Sequence, residues 1–259
     1  MKKKKSLYTD LIVEINNQEE MNHIILKEKN ITVTETKKKD KKYTTISYKN
    51  LEDLKEYQKV KEILIRELEK YLPNLAKEVV LVVGLGNRKS TPDSLGPEVV
   101  NHILVTRHLF LLGEVEKGYS NVAAFSPNVM ANTGMSSTKI IECLVREIKA
   151  TKVIVIDALK TNTIERLVKT IQISNAGITP GSGIGSNREE ISKSKMNIDV
   201  IAIGVPTVMN LNRIQENKED YMITPTNIDF AIEQLSYLLG DALNKTLHQN
   251  DIRQKNNLK

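Results

Sequence analysis

Two aspartates follow apolar strand patterns, and they are the residues of this chain best placed to do chemistry. Asp93 lies in LVVGLGNRKSTPDSLGPEVV (81–100), between a strand pattern and a helical pattern, and Asp157 follows the apolar run of KVIVIDAL (152–159). Ligands of an open α/β sheet bind beyond the carboxyl ends of its strands. Two carboxylates that meet there discourage each other's ionisation, so that one can keep a proton while the other activates water.

Other interpretations of both aspartates stay open. Asp93 precedes a helical pattern and can serve as its N-cap, and Asp157 can be satisfied by loop amides. A dinucleotide site is a weak interpretation, because GLGNRKSTPDSLG (84–96) lacks both the G-x-G-x-x-G spacing and a Walker lysine.

Further polar residues are expected at the same edge of the sheet. The loop NAGITPGSGIGSNREEIS (175–192) is long and rich in glycine, which indicates function, although such a loop can also be a simple connection. From it we expect the Gly183 amide and Arg188 to hold the substrate backbone or an oxyanion. Thr207 follows the next apolar run, and Asn87 can bond to loop amides; both are assigned to the same binding role.

Metal and nucleophile chemistry find little support. His102 and His108 are six positions apart, so they miss the i, i+4 spacing of a helical zinc site, and neither H-E-x-x-H nor G-x-S-x-G occurs. No metal and no cofactor is expected. Cys143 is the single cysteine and cannot form an internal disulfide, which agrees with a reducing compartment.

Charge and hydropathy limit the classes of partner that we expect for this protein. The formal net charge is +6, but the lysine tracts at 2–5 and 37–42 each contribute +4, which leaves −2 for the remainder. Direct nucleic-acid binding is therefore not expected. No apolar run is long enough to span a bilayer and no signal-peptide core follows the first lysines, so we expect a cytoplasmic protein without membrane contact.

The pattern of apolar and polar residues, from which we predict the secondary structure that positions these side chains, changes near residue 79. Alternating stretches in 8–50 predict strands, and LEDLKEYQKVKEILIRELEKY (51–71) predicts a helix. Apolar runs then alternate with helical patterns, of which GPEVVNHILVTRHLF (96–110) and NIDFAIEQLSYLLGDALNKTLHQ (227–249) are two. We predict an α/β fold with a mostly parallel sheet flanked by helices. Residues 79–250 would form the catalytic domain, residues 1–78 an N-terminal α+β element packed on it, and residues 251–259 a tail.

Eight segments resemble one known family, in that family's order. They are TDLIVE (9–14), VVGLGNRKSTPDSLGPEVV (82–100), LVTRHLF (104–110), TGM (133–135), VIDAL (155–159), IERLVKTIQISNAGITPGSGIGSNREEIS (164–192), VIAIGVPTV (200–208) and ITPTNID (223–229). Together they resemble the germination protease, or spore protease, family of endospore-forming bacteria.

The resemblance implies an endopeptidase that degrades small acid-soluble, DNA-protecting spore proteins during germination, in the cytoplasm of the forespore or spore core. It implies a zymogen with a short N-terminal propeptide, a homotetramer, and a fold similar to the hydrogenase-maturation endopeptidases. It also implies an atypical aspartic peptidase whose catalytic pair matches Asp93 and Asp157. The alternatives are a metal-dependent peptidase that uses both aspartates as ligands, and a non-catalytic relative that binds spore proteins or DNA.

The chain departs from the family pattern in three places. Only 14 residues separate VIAIGVPTV from ITPTNID, where the family usually carries a longer insertion. Ser136 stands where an acidic residue is expected, and KTNT (160–163) replaces a stretch that usually contains arginine.

Overall fold

The structure, a computed structural model, describes residues 9–15, 21–179, 189–210 and 221–248. The strands are β1 (Met21–Glu28), β2 (Ile31–Lys38), β3 (Lys41–Ser47), β4 (Val79–Gly84), β5 (Asn121–Phe125), β6 (Lys152–Thr161), β7 (Thr170–Ser174), β8 (Asp199–Asn210) and β9 (Met222–Ile223). The helices are α1 (Leu54–Tyr71), α2 (Leu95–Asn101), α3 (Arg107–Leu112), α4 (Met130–Thr133), α5 (Ser137–Ile148), α6 (Lys193–Met196) and α7 (Ile228–Leu247).

The strands of the described residues form one sheet in the order β1-β2-β3-β7-β8-β6-β4-β5, with β9 added to β8. The predicted α/β fold with flanking helices is confirmed. The sheet is mixed where a mostly parallel one is predicted: β8, β6, β4 and β5 pair in parallel, and the other pairings are antiparallel. The reason is that the N-terminal strands extend the sheet itself, through pairing of β3 with β7.

The central strands are buried on both faces, as their apolar runs predict. Because side chains alternate along a strand, Ile154 and Ile156 of β6 join a core under α2 and α7, whereas Val153 and Val155 join a second core under α5. Helix α7 also packs against α1. In the part of the chain that the structure describes, no helix combines the length and apolar character needed to cross a membrane.

Helix α1 covers the N-terminal half of the sheet; it begins at Leu54, three residues after the predicted start, and ends at Tyr71 as predicted. Asp53 caps its first turn by accepting from the amide of Lys55 at 2.8 Å. The Glu56 carboxylate accepts from the amides of Lys49 (2.6 Å) and Asn50 (2.9 Å) and from Asn30 Nδ2 (2.9 Å). Burial raises the pKa of Glu56, but these hydrogen bonds outweigh it and hold the pKa below the usual 4.5.

The helical pattern over 96–110 divides into two helices. Helix α2 ends at Asn101 and α3 begins at Arg107. Between them the Leu104 amide donates to Asn244 Oδ1 at 2.8 Å, and the Thr106 amide donates to Val122 O at 3.0 Å. These amides bond to α7 and β5, so they are not available to continue the first helix.

Strands β6 and β8 run further than the apolar runs predict. Asp157 and Thr207 lie within them, since β6 continues to residue 161 and β8 to residue 210. Strand β4 ends at Gly84, opposite Ile156, so Asp157 is the first β6 residue beyond the β4 pairing. The carboxyl edge of the parallel strands is therefore stepped, and Asp157 lies at the step.

Candidate active site

A cavity of about 450 Å³ lies at this step, between the ends of the parallel strands and the loops that follow them. Four predicted site residues line it together: Asp93, Asp157, Asn87 and Thr207. A carboxylate from the loop after β4 and a carboxylate from β6 thus share one cavity, as expected for residues at the carboxyl edge of parallel strands.

Close packing of glycines fixes the loop that carries Asp93. Gly86 has φ +121°, and a Cβ there would overlap the carbonyl oxygen of Asp93. The amide of Asn87 donates to that same oxygen at 2.8 Å. At the start of α2, a Cβ on Gly96 would overlap the carbonyl oxygen of Leu85. The loop can therefore fold back against α2 only because these positions carry no side chain.

Asp93 does not cap the helix that follows it. It ends a short 3₁₀ turn, Thr91–Asp93, and the N-cap position of α2 is held by Ser94. The N-cap interpretation of Asp93 is therefore wrong. The Ser94 hydroxyl donates backwards to Thr91 O at 2.9 Å, which stabilises the turn.

Asp157 lies on β6, the strand next to β4, and is 6% exposed. It lies opposite Gly204 of β8, and its Oδ1 accepts from the amide of Ala158 at 3.0 Å. Ala158 lies within β6, so satisfaction of this carboxylate by loop amides stays a prediction. Asp157 also lies on the cavity wall.

Thr207 and Asn87 support the loops of the cavity. The buried Thr207 hydroxyl donates to Pro92 O at 2.6 Å, one residue before Asp93. Asn87 Oδ1 accepts from the Lys89 amide at 3.0 Å and from Asn132 Nδ2 at 3.0 Å. Both side chains hold loops in place, in addition to lining the cavity.

Part of the glycine-rich loop, residues 180–188, lies outside the described residues. Gly183 and Arg188 lie outside the described residues. On either side of that segment, Ile178 and Ile191 pair in an antiparallel bridge. The expected contact of Gly183 and Arg188 with substrate stays a prediction.

Two charged residues that we do not predict also line the cavity, Asp10 and Lys160. Asp10 belongs to residues 9–14, which we call the N-terminal strap. The Asp10 amide donates to Lys160 O, and the Lys160 amide donates to Asp10 Oδ2, both at 2.9 Å. Asp10 lies within TDLIVE and Lys160 follows VIDAL, so both adjoin segments of the family resemblance, but no local pattern links them.

The end of the strap is anchored by Glu14. Its carboxylate accepts from the Thr161 hydroxyl (2.6 Å), the Asn162 amide (2.8 Å) and the Thr163 hydroxyl (3.0 Å), and it pairs with Arg166 at 3.4 Å. The strap thus follows the end of β6 from Lys160 to the turn after Thr161.

A metal centre built from three or more ligands does not occur in the ranges that the structure describes. No group of three His, Cys, Asp or Glu side chains is arranged there to hold an ion. The cavity chemistry visible in these residues is that of carboxylates, amides and hydroxyls, with one lysine.

Comparisons with known proteins agree with the sequence resemblance. The family model described as "Germination protease" matches residues 1–223. The germination protease of Bacillus subtilis is 42% identical over 193 residues, which cover 72% of this chain and 52% of that protein. That of Bacillus cereus is 41% identical over 248 residues (85% and 68%), and that of Bacillus licheniformis is 47% identical over 171 residues (64% and 46%). The chain therefore spans about half to two thirds of the length of these relatives.

Among solved structures, the chain is matched to the NiFe hydrogenase maturation protease from Thermococcus kodakarensis. It is 16% identical, has a TM-score of 0.39, and is matched over 68% of this chain and 98% of its own. At that TM-score the likeness adds nothing to the fold described above. The match of the family model over residues 1–223 decides the identity: the chain belongs to the germination protease family.

Proposed function

We propose that this chain is an endopeptidase that degrades small acid-soluble, DNA-protecting spore proteins during germination. Membership of the germination protease family supports the reaction class. The observation that carries the proposal is the position of Asp93 and Asp157 on the wall of one cavity.

In the proposed mechanism the two aspartates share one proton. The ionised carboxylate takes a proton from a water molecule, whose oxygen attacks the peptide carbonyl carbon, while the protonated carboxyl donates its proton to the carbonyl oxygen. The resulting tetrahedral species collapses, the C–N bond breaks, and the amine leaves with a proton returned from a carboxyl. Loop amides, with Arg188 and Gly183, would hold the substrate backbone.

The family membership also supports three proposals, about the processing, the assembly and the location of the protein. It would be made as a zymogen that loses a short N-terminal propeptide, assemble as a homotetramer, and act in the cytoplasm of the forespore or spore core. We place the propeptide within the lysine-rich start of the chain or shortly after it.

The experiment is cleavage of a purified small acid-soluble spore protein, with products mapped by mass spectrometry. Asp93→Asn and Asp157→Asn should each lower the rate on the order of 10²- to 10⁴-fold. Asp40→Asn, an exposed turn residue that does not line the cavity, is the matched control and should cleave like the unmodified protein.

Three outcomes would contradict the proposal. Full activity in both single variants would remove the aspartate pair from the reaction. Loss of activity with a chelator and recovery with added metal would favour the metal-dependent alternative. Salt-sensitive DNA binding without any cleavage would favour the non-catalytic alternative.

A further inference from the structure

Three asparagines, Asn87, Asn128 and Asn132, connect two loops that border the cavity; we call them the asparagine cluster. Asn87 lies in the loop after β4 and Asn128 in the loop between β5 and α4, and both line the cavity. Asn132 lies on α4, is exposed and does not line the cavity. Strands β4 and β5 pair in parallel, and the Ser126 hydroxyl donates to Gly84 O at 3.0 Å. The two loops therefore leave the same edge of the sheet side by side.

Backbone amides fix the orientation of two side chains of the asparagine cluster. A backbone N–H can only donate, so the side-chain atom that accepts from it must be the amide oxygen. The Lys89 amide donates to Asn87 Oδ1 at 3.0 Å, and the Val129 amide donates to Asn128 Oδ1 at 2.8 Å. Asn132 Nδ2 donates to both of these oxygens, at 3.0 Å each. Each oxygen thus accepts two hydrogen bonds, which occupies both of its lone pairs.

The Nδ2 atoms of Asn87 and Asn128 remain available to a ligand. Each Nδ2 is bonded to the same carbon as the fixed oxygen, so its position is fixed as well. Among the described residues, no acceptor is bonded to either nitrogen. A carbonyl oxygen of a peptide backbone has two lone pairs, so it can accept from two such amide donors on a cavity wall.

The backbone at Asn128 has an unusual conformation. Its φ of +63° lies in the left-handed region, which asparagine adopts more readily than most residues with a side chain. The buried Ser137 hydroxyl donates to Asn128 O at 2.9 Å and so holds this residue in place. Residues held in sparsely populated backbone regions cluster at ligand sites. Here the conformation places Asn128 on the cavity wall.

We propose that Asn87 and Asn128 donate through Nδ2 to a backbone carbonyl oxygen of the bound peptide, other than that of the scissile bond, and that Asn132 is the positioning residue that orients both amides. The proposal rests on the function proposed above, and it adds Asn128 and Asn132 to the binding role expected for Asn87. A neutral donor to such a carbonyl binds the ground state and the transition state equally, so its loss raises KM and leaves kcat unchanged.

The test compares Asn132→Ala, which removes the donor, with Asn132→Gln, which keeps an amide donor on a longer side chain. Because Asn132 is exposed, neither change should prevent folding. In cleavage of the spore protein, Asn132→Ala should raise KM about three- to tenfold, the effect of losing one hydrogen bond, at unchanged kcat. Asn132→Gln should restore most of this loss. Asn128→Gly removes one proposed donor, suits the left-handed backbone, and should raise KM by a similar factor.

The matched control is Asn101→Ala, which removes another exposed asparagine, from α2. Asn101 Nδ2 donates to Glu98 Oε2 at 3.0 Å, and its Oδ1 accepts from Arg88 Nη2 at 2.7 Å, so this variant also breaks a side-chain network. Asn101 does not line the cavity, and the control should therefore leave both KM and kcat unchanged.

A second readout does not depend on cleavage. N-methylacetamide, a small molecule with a single peptide carbonyl, is added while the side-chain NH₂ signals of the asparagines are followed by ¹H–¹⁵N NMR. The signals of Asn87 and Asn128 should shift in the unmodified protein and shift less in Asn132→Ala. The NH₂ signal of Asn101 should not shift in either protein.

The outcomes separate the two proposals. If neither Asn132→Ala nor Asn128→Gly raises KM, the role of the asparagine cluster is refuted while the peptidase function stands. A fall in kcat at unchanged KM would equally refute binding of a carbonyl outside the scissile bond. If the unmodified protein does not cleave the spore protein, the proposed function fails, and the N-methylacetamide titration still decides whether these amides bind a peptide carbonyl.

Discussion

Replacing Gly96 by alanine tests whether the packing of α2 against the sheet positions Asp93. A Cβ at this position would overlap Leu85 O and would lie 2.6 Å from Ile156 O, whereas real Cβ atoms essentially never approach closer than 3.0 Å. These neighbours are backbone atoms next to or within β4 and β6, so the helix has to move, by at least roughly 0.7 Å for the contact with Leu85 O.

Two opposing contributions determine how much Gly96→Ala changes the free energy of unfolding. Alanine is better than glycine in a helix by about 1 kcal/mol, but overpacking of a rigid interior costs about 1–3 kcal/mol and occasionally more. Because the added methyl group meets backbone atoms at both strands, we expect an overpacking cost of about 3 kcal/mol. After the gain in helix propensity is subtracted, the free energy of unfolding should fall by about 2 kcal/mol. Displacement of the Asp93 loop should also lower the cleavage rate at least roughly tenfold, because ångström-scale misplacement costs up to about 10²-fold.

The assay is urea unfolding followed by far-UV circular dichroism, since the chain has no tryptophan, together with cleavage of a spore protein. The control is Gly113→Ala, which also adds a methyl group. Gly113 has φ +75° and nothing within 4 Å, so the control should lose about 1 kcal/mol from backbone strain and keep full activity. A Gly96→Ala protein as stable and as active as the unmodified one would refute the idea that this contact positions the loop.

Two further predictions concern single side chains. Glu56→Gln should lower the free energy of unfolding by about 1–2 kcal/mol at pH 7. Because the folded-state pKa of Glu56 is lowered, its ionic contribution exists above pH 4.5 and is lost as pH falls through the folded value. Urea unfolding at pH 7, 5 and 3 should therefore show the difference shrink, and a constant difference would contradict this. Thr207→Val removes the donor to Pro92 O, so we expect a loss of about 1–3 kcal/mol in urea unfolding and slower cleavage; Thr207→Ser should retain most of both, and an unchanged valine variant would contradict the buttressing role.

Periodicity predicts the parts of the fold in which local sequence and burial agree. The amphipathic pattern over 51–71 becomes α1, and the pattern near the end of the chain becomes α7. The division of 96–110 into two helices is not predictable in this way. It depends on amides that bond to Asn244 and Val122, and neither partner can be identified from spacing in the chain.

The candidate site, like the fold, can be predicted from the sequence only in part. A general rule for parallel sheets places Asp93 and Asp157 at one edge, and the structure brings them to one cavity. No such rule predicts the position of Asp10, because it reaches the cavity through hydrogen bonds to a residue 150 positions away. Lys160 looks like a polar residue at the end of an apolar run, and only the tertiary structure shows that it is buried.

The seam between β3 and β7 has a consequence for the order in which the cavity forms. It pairs Tyr43 with Ser174, 131 positions apart, and closing a loop of this size costs about 4 kcal/mol in chain entropy. Once the seam exists, the strap lies a few residues upstream of β1 and reaches β6 without a second long closure. During refolding, the cavity should therefore be completed after most of the secondary structure has formed, when the strap comes to lie beside the end of β6.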